Sequence, residues 1–157
     1  MLAGTPWWVY VIFIYLMYVG IKASRSQELP ITRLIIVPLI FIVWSLYSLY
    51  VRYGFNVLTA SLWITSLIVG ASIGWLVLSR GIRINKHNKL VYLPGSWYPL
   101  FFYLLFFIVK YYIGFIYAID PKMRWNLFFI ASDIFASGFI SGLFAGRFLR
   151  IRNLLYV

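Results

Sequence analysis

The chain has 157 residues, of which 64% are hydrophobic and 11% charged, with a net charge of +11, one histidine and no cysteine. A soluble domain carries about 25% charged residues and about half apolar ones, so the excess of apolar surface calls for a bilayer to cover it. The missing cysteines exclude disulfides, thiolate metal sites and cysteine nucleophiles, and His87 alone cannot supply the two axial ligands of a membrane b-type haem.

Five apolar segments follow one another, each read as a membrane span of about 20 residues. The first, Pro6–Ile21, is short and opens on Trp7, Trp8 and Tyr10, aromatics that prefer the headgroup layer. A connection with Lys22, Arg25 and Arg33 leads to the second segment, Leu34–Tyr50, which contains Pro38; a proline there removes a backbone hydrogen bond and kinks the helix. After Arg52 comes the third, Asn56–Leu78, with Ser66, Gly70 and Gly74 at a four-residue spacing. The connection Ser79–Ser96 is longer and polar. Within it, Ile82 and Ile84 alternate with Arg83 and Asn85, and Leu90 and Tyr92 with Val91 and Leu93. These runs flank Lys86, His87 and Asn88 and read either as a small β-hairpin on the membrane surface or as an irregular basic loop. Pro94 and Gly95 fit positions two and three of a type II turn, and Ser96 fits an N-cap. Trp97 and Tyr98 open the fourth segment, Trp97–Ile119, with Lys110 near its middle. Lys122, Arg124 and Trp125 precede the fifth, Asn126–Leu149.

The basic residues are unevenly shared between the two faces. Lys22, Arg25, Arg33, Arg80, Arg83, Lys86, Lys89, Arg147, Arg150 and Arg152 fall on one side, ten in all, against Arg52, Lys122 and Arg124, three, on the other. The positive-inside rule then places the N-terminus outside and the C-terminus in the cytoplasm. It also explains the net charge, so no nucleic-acid partner is expected. No basic stretch precedes the first segment, and no cleaved signal peptide is expected. The fold class expected is an all-α bundle of five transmembrane helices forming a single domain over residues 1–157, its one β reading being the small hairpin in the connection between helices three and four.

Five stretches occur together in order: "TPWWVY" at Thr5–Tyr10, "RLIIVPLIF" at Arg33–Phe41, "LPGSWYPL" at Leu93–Leu100, "IVKYYIG" at Ile108–Gly114 and "SGLFAGR" at Ser141–Arg147. With them the chain resembles, over nearly its whole length, a family of bacterial integral membrane proteins carried under a domain-of-unknown-function heading. The Pro-Gly-Ser-Trp motif before the fourth helix is the most specific piece. A lysine before an aromatic in the fourth segment belongs to the family pattern and matches Lys110, whereas Asp133 gains nothing from the likeness. The resemblance implies a bacterial inner-membrane location and no particular activity.

A lysine at mid-membrane costs about 2.5–3.5 kcal/mol on insertion scales and so faces the protein interior or water, next to a partner. The chain has three acids, Glu28, Asp120 and Asp133, and Asp133 alone lies inside a segment. Lys110 is ten residues before Asp120, about 15 Å below the boundary, and Asp133 is eight residues after Trp125, about 12 Å below it. The two levels differ by less than one helical turn, within reach of a lysine stem. The pair reads as a proton or anion relay at a polar cavity, or as an ion pair that fixes the register of two helices. A third reading lets Lys110 snorkel to the headgroups.

Asp133, Ser137 and Ser141 form one stripe at i, i+4, i+8 of segment five. Beside it Gly138, Gly142 and Gly146 recur every four residues, the spacing that lets helix backbones approach closely. The glycines read as packing within one bundle or as a homodimer seam. No His/Asp/Glu cluster has metal-ligand spacing and no Ser-His-Asp set is available at membrane depth, so no cofactor, metal or catalytic residue is expected. The expectation is a small transport or permeation component centred on Lys110, Asp133, Ser137 and Ser141. The rival is a structural or accessory subunit that docks on another membrane protein or on itself.

Overall fold

The computed structural model describes residues 7–85, 87, 88 and 90–156. Pro6, Lys86, Lys89 and Val157, and the side chains of Trp8 and Arg33, lie outside the described residues. The chain is mostly helical, with elements in the order α1 (Trp7–Ala23), β1 (Gln27–Pro30), α2 (Ile31–Tyr53), α3 (Val57–Leu76), β2 (Arg83–Asn85), β3 (Leu90–Leu93), α4 (Tyr98–Ile119) and α5 (Leu127–Tyr156). A 3-10 turn over Pro121–Trp125 joins α4 to α5. Three helices, α3, α4 and α5, are long and apolar enough to cross a membrane, and α1 holds a shorter apolar stretch, Val9–Ala23. Large apolar side chains such as Trp44, Ile64, Phe101 and Phe128 face outward, an arrangement compatible with an apolar solvent around the bundle.

Local signals account for the helix ends. Asn56 caps α3: its side chain accepts from Thr59 N–H at 2.9 Å while the Thr59 hydroxyl accepts from Asn56 N–H at 3.1 Å, a reciprocal box. Gly54, at φ 72°, supplies the left-handed step that ends α2 and turns the chain into that cap. Pro38 lies inside α2, where its ring nitrogen has no proton to give the preceding turn. Asp120 and Asn126 close the turn between α4 and α5 by accepting from Lys122 N–H at 3.0 Å and Phe128 N–H at 2.9 Å.

Of the two readings of the connection Ser79–Ser96, the hairpin is the one that forms, from β2 and β3, and the structure adds a strand the sequence reading did not contain. Gln27–Pro30, in the connection after α1, pairs antiparallel with Leu90–Leu93, giving a three-stranded sheet in the order β1-β3-β2. The fold is therefore helical with a small sheet, not purely α. The sheet gathers the end of α1, the start of α2, the end of α3 and the start of α4 at one end of the bundle. It packs on the last turns of α5: Ile82, Val91, Leu93 and Ile151 form one buried cluster, with Val91 and Ile151 fully shielded. This is why α5 continues to Tyr156 and does not stop at Leu149.

Two expectations for the linker into α4 are corrected. Gly95 does not have the positive φ that the third residue of a type II turn requires. It is needed for room: a Cβ there would overlap the carbonyl oxygen of Ser24, and the neighbouring Ser96 N–H donates to Ala23 C=O at 3.0 Å. The linker is thus stapled to the end of α1. The N-cap of α4 is Trp97, without a side-chain cap; the Ser96 hydroxyl only reaches Tyr98 N–H, at 3.3 Å.

α3 and α5 make the most extensive helix contact, and small residues on both sides explain it. A Cβ at Gly70 would overlap Phe139 C=O, one at Gly74 would overlap Leu143 C=O, and one at Gly142 or Gly146 would overlap Leu67 or Ala71 C=O. Gly138 faces Ser66 and Trp63 in the same way. With backbones this close, van der Waals packing holds the pair even where lipid would cover apolar side chains equally well. The glycine stripe is occupied by α3 of the same chain and is not free for a second copy. Leu49, Trp63 and Ile134 tie α2 to this pair, and Leu78, Ile140, Leu143 and Phe144 form a second cluster against α4.

Candidate functional site

α5 is the axis of the bundle, and its polar stripe turns toward α2 and α4. Asp133 is the seventh residue of α5, about 9 Å along the helix from Leu127. Its side chain is only 3% exposed, against 26% for Lys110 and 57% for Arg52. The acid is sealed, and the two cations lie progressively closer to the outside of the bundle.

Lys110 Nζ forms an ion pair with Asp133 Oδ1 and also donates to Ser137 Oγ at 2.6 Å and to the Asp133 carbonyl oxygen at 3.2 Å. All three protons of the ammonium group have an acceptor, which is what a cation at this depth requires. The stem turns inward, so Lys110 does not snorkel to the headgroups. Phe106, one turn earlier on α4, places its ring 5.8 Å from the same nitrogen, within cation–π range.

The other carboxylate oxygen is also engaged. Tyr53 OH donates to Asp133 Oδ2 at 2.7 Å, and Arg52 Nη1 approaches the same oxygen at 3.4 Å. Tyr117 of α4 stands 3.5 Å from the Tyr53 hydroxyl. Asp133 thus joins α2, α4 and α5 at one point. Ser137 and Ser141 turn their hydroxyls back onto the carbonyls of Asp133 and Ser137, at 2.8 and 2.9 Å.

Arg52, Tyr53 and Tyr117 are not among the site residues expected from the sequence. In the sequence Arg52 falls in the connection between the second and third apolar segments; in the structure it belongs to α2 and its guanidinium stands 3.4 Å from Asp133 Oδ2. Excess basic charge near a single intramembrane acid was the available signal, but choosing Arg52 requires knowing that α2 lies against α5, and no spacing in the sequence encodes that. The other two acids remain apart: Glu28 lies on β1, and Asp120 caps the turn between α4 and α5. Gly70, Gly74, Gly138, Gly142 and Gly146 form the α3–α5 contact on another face of α5. Among the described residues no three His, Asp or Glu side chains come together as a metal site would require.

A cavity of about 420 Å3 adjoins the ion pair, lined by Trp44, Ser45, Ser48, Arg52, Phe106, Lys110, Ser137, Ile140 and Ser141. Four hydroxyls and two cations border it, while Asp133 lies behind Lys110, outside the lining. The Ser45 hydroxyl is held by Trp63 Nε1–H at 2.7 Å, which fixes that wall. With two positive side chains around one carboxylate, the site carries an excess of positive charge facing the cavity. Such a surface favours anions and disfavours cations.

No curated protein and no solved structure matches the chain. A family model does match, over residues 1–156, and the chain accordingly belongs to the family of unknown function DUF6622.

Proposed function

We propose that the chain is a five-span protein of the bacterial cytoplasmic membrane, N-terminus outside and C-terminus inside, that acts as a small anion-permeation or transport component. The observation that carries this reading is the cavity at Lys110: it is bordered by serine hydroxyls and two cations, while the only nearby acid is turned away from it. A purely structural ion pair would need no adjoining space. The role of Asp133 is to make the cations tolerable at this depth and to hold Lys110 at the cavity wall. Of the bordering serines, Ser45 and Ser48 supply the hydroxyl donors that an anion shedding its water can use, since Ser137 and Ser141 give theirs to α5 carbonyls.

Reconstitution in liposomes tests this reading. With a halide-sensitive dye inside, the wild-type protein is expected to admit iodide or chloride down a gradient faster than empty liposomes do. Lys110→Met is expected to reduce that flux about tenfold or more, since losing one charged hydrogen-bond donor is worth about 1.5–3 kcal/mol. Arg124→Gln, on the outer turn away from the cavity, is expected to leave it unchanged. Flux equal to that of empty liposomes for halide, nitrate and phosphate alike would overturn the transport reading in favour of an accessory subunit.

A further inference from the structure

The stretch "LPGSWYPL" and Arg147, the last residue of "SGLFAGR", meet at the sheet end of the bundle, where Tyr98 stands about 18 Å from Lys110 along α4. Between them lies a separate cavity of about 310 Å3, walled by the end of α1 at Ala23, the end of α3 at Val77 and Leu78, the Pro94–Ser96 linker and the first turn of α4. Two arginines line it, Arg80 from the turn after α3 and Arg147 from α5, and no carboxylate does. The Nε atom of Arg147 is fully buried and has no hydrogen-bond partner. Both ion pairs found among the described residues belong to Asp133, so Arg147 is not neutralised by an acid.

A guanidinium held this way is costly unless something pairs with it. The end of α3 does not take that role fully, because its own chain already serves it. Ile73 C=O accepts from Val77 N–H at 2.8 Å, and Gly74 C=O accepts from the Ser79 hydroxyl at 2.9 Å. On the opposite wall stands the N-terminus of α4, a helix of 22 residues with no side-chain cap, whose dipole presents positive potential. Arg80, Arg147 and this helix end all favour the same sign of charge. The wall is rigid as well: Gly95 is pressed on Ser24, and Ser96 is hydrogen-bonded to Ala23.

We propose that this cavity is a phosphate-binding site. Arginine's planar fork matches a phosphate better than a halide, and the volume exceeds that of a bare ion, leaving room for an ester substituent. The phosphate is that of an anionic lipid headgroup or a free phosphate; the chemistry of the site is common to both. The inference does not rest on the anion pathway at Lys110.

Thermal unfolding of the purified full-length chain in neutral detergent tests it. Inorganic phosphate is added at constant ionic strength against chloride, and short-chain phosphatidylglycerol is added against short-chain phosphatidylcholine. A rise in Tm with inorganic phosphate identifies a free-phosphate site; a rise with phosphatidylglycerol alone identifies a headgroup site. In either case Arg80→Gln, an exposed side chain whose loss leaves packing intact, is expected to raise the half-maximal ligand concentration about tenfold or more, and Arg147→Met is expected to abolish the response. Should Arg147→Met not fold, Arg80→Gln decides alone. Arg124→Gln serves as the control and keeps the wild-type response. No rise with either phosphate source, or an undiminished rise in Arg80→Gln, overturns the proposal.

Discussion

Removing the charge from Asp133 leaves two cations without their acid, whereas removing it from Lys110 leaves Asp133 still held by Tyr53 and Arg52. The two halves of the ion pair are therefore unequal. Asp133→Asn is expected to lower stability by about 3–5 kcal/mol, the range for breaking a buried pair and leaving a charge behind. Lys110→Met is expected to cost clearly less, because the carboxylate keeps two other partners. Arg52 contributes little of that difference, since its side chain is 57% exposed and a pair so exposed is weak. The double variant, with neither charge buried, is expected to recover much of the loss in Asp133→Asn. A double-mutant cycle on unfolding in detergent measures this. Additive single effects would show that the side chains do not interact energetically despite their contact. Counting residues from the α4–α5 turn was enough to put Lys110 and Asp133 at one level, because both sit on helices joined by that short turn. Tyr53 and Arg52 were not legible, because they arrive from α2, which is not a sequence neighbour of α5.

Glycines play opposite parts in different helices. Gly142 touches the α3 backbone at Leu67 and Ala71, while a Cβ on Gly114 of α4 would meet nothing within 4 Å. Gly142→Ala is expected to force α3 and α5 apart and to lower stability by about 1–3 kcal/mol, the usual cost of overpacking. Gly114→Ala is expected to be neutral or to stabilise by about 0.5–1 kcal/mol, through the lower entropy cost of ordering alanine in a helix. Paired melting curves check both, and a loss at Gly114 equal to that at Gly142 would contradict the helix contact described above. Small-residue periodicity marked Gly70, Gly74, Gly138, Gly142 and Gly146 in advance, but it could not say whether their partner was α3 or a second chain. The sheet marks the other limit of what local pattern reveals. Alternation around His87 was visible in β2 and β3; β1 is four residues, "QELP", and becomes a strand only because β3 offers it an edge.

At the scale of the whole molecule, that same short strand bears on how many times the chain crosses the bilayer. Apolar length and composition alone single out α3, α4 and α5, leaving α1 and α2 free, on that measure, to lie on the surface. The pairing of Gln27–Pro30 with Leu90–Leu93 puts the start of α2 at the same end of the bundle as the α3–α4 connection. The end of α2 runs through Gly54 directly into the start of α3, at the opposite end. A helix of 23 residues spans about 34 Å, enough for a hydrocarbon core of about 30 Å. If α3 crosses, α2 crosses beside it, and the orientation proposed above, with the sheet end in the cytoplasm, follows from the uneven sharing of basic residues along the sequence. Because the chain has no cysteine, single cysteines can report this without background. Ser26→Cys, before β1, is expected to resist a membrane-impermeant maleimide in intact cells and to react once the membrane is opened. Phe55→Cys, between α2 and α3, is expected to react from outside. A reporter active only in the cytoplasm, fused after α5, is expected to give signal. Equal labelling of both cysteines in intact cells would mean that α2 does not cross, and the site at Lys110 would then have to be reached from one face only.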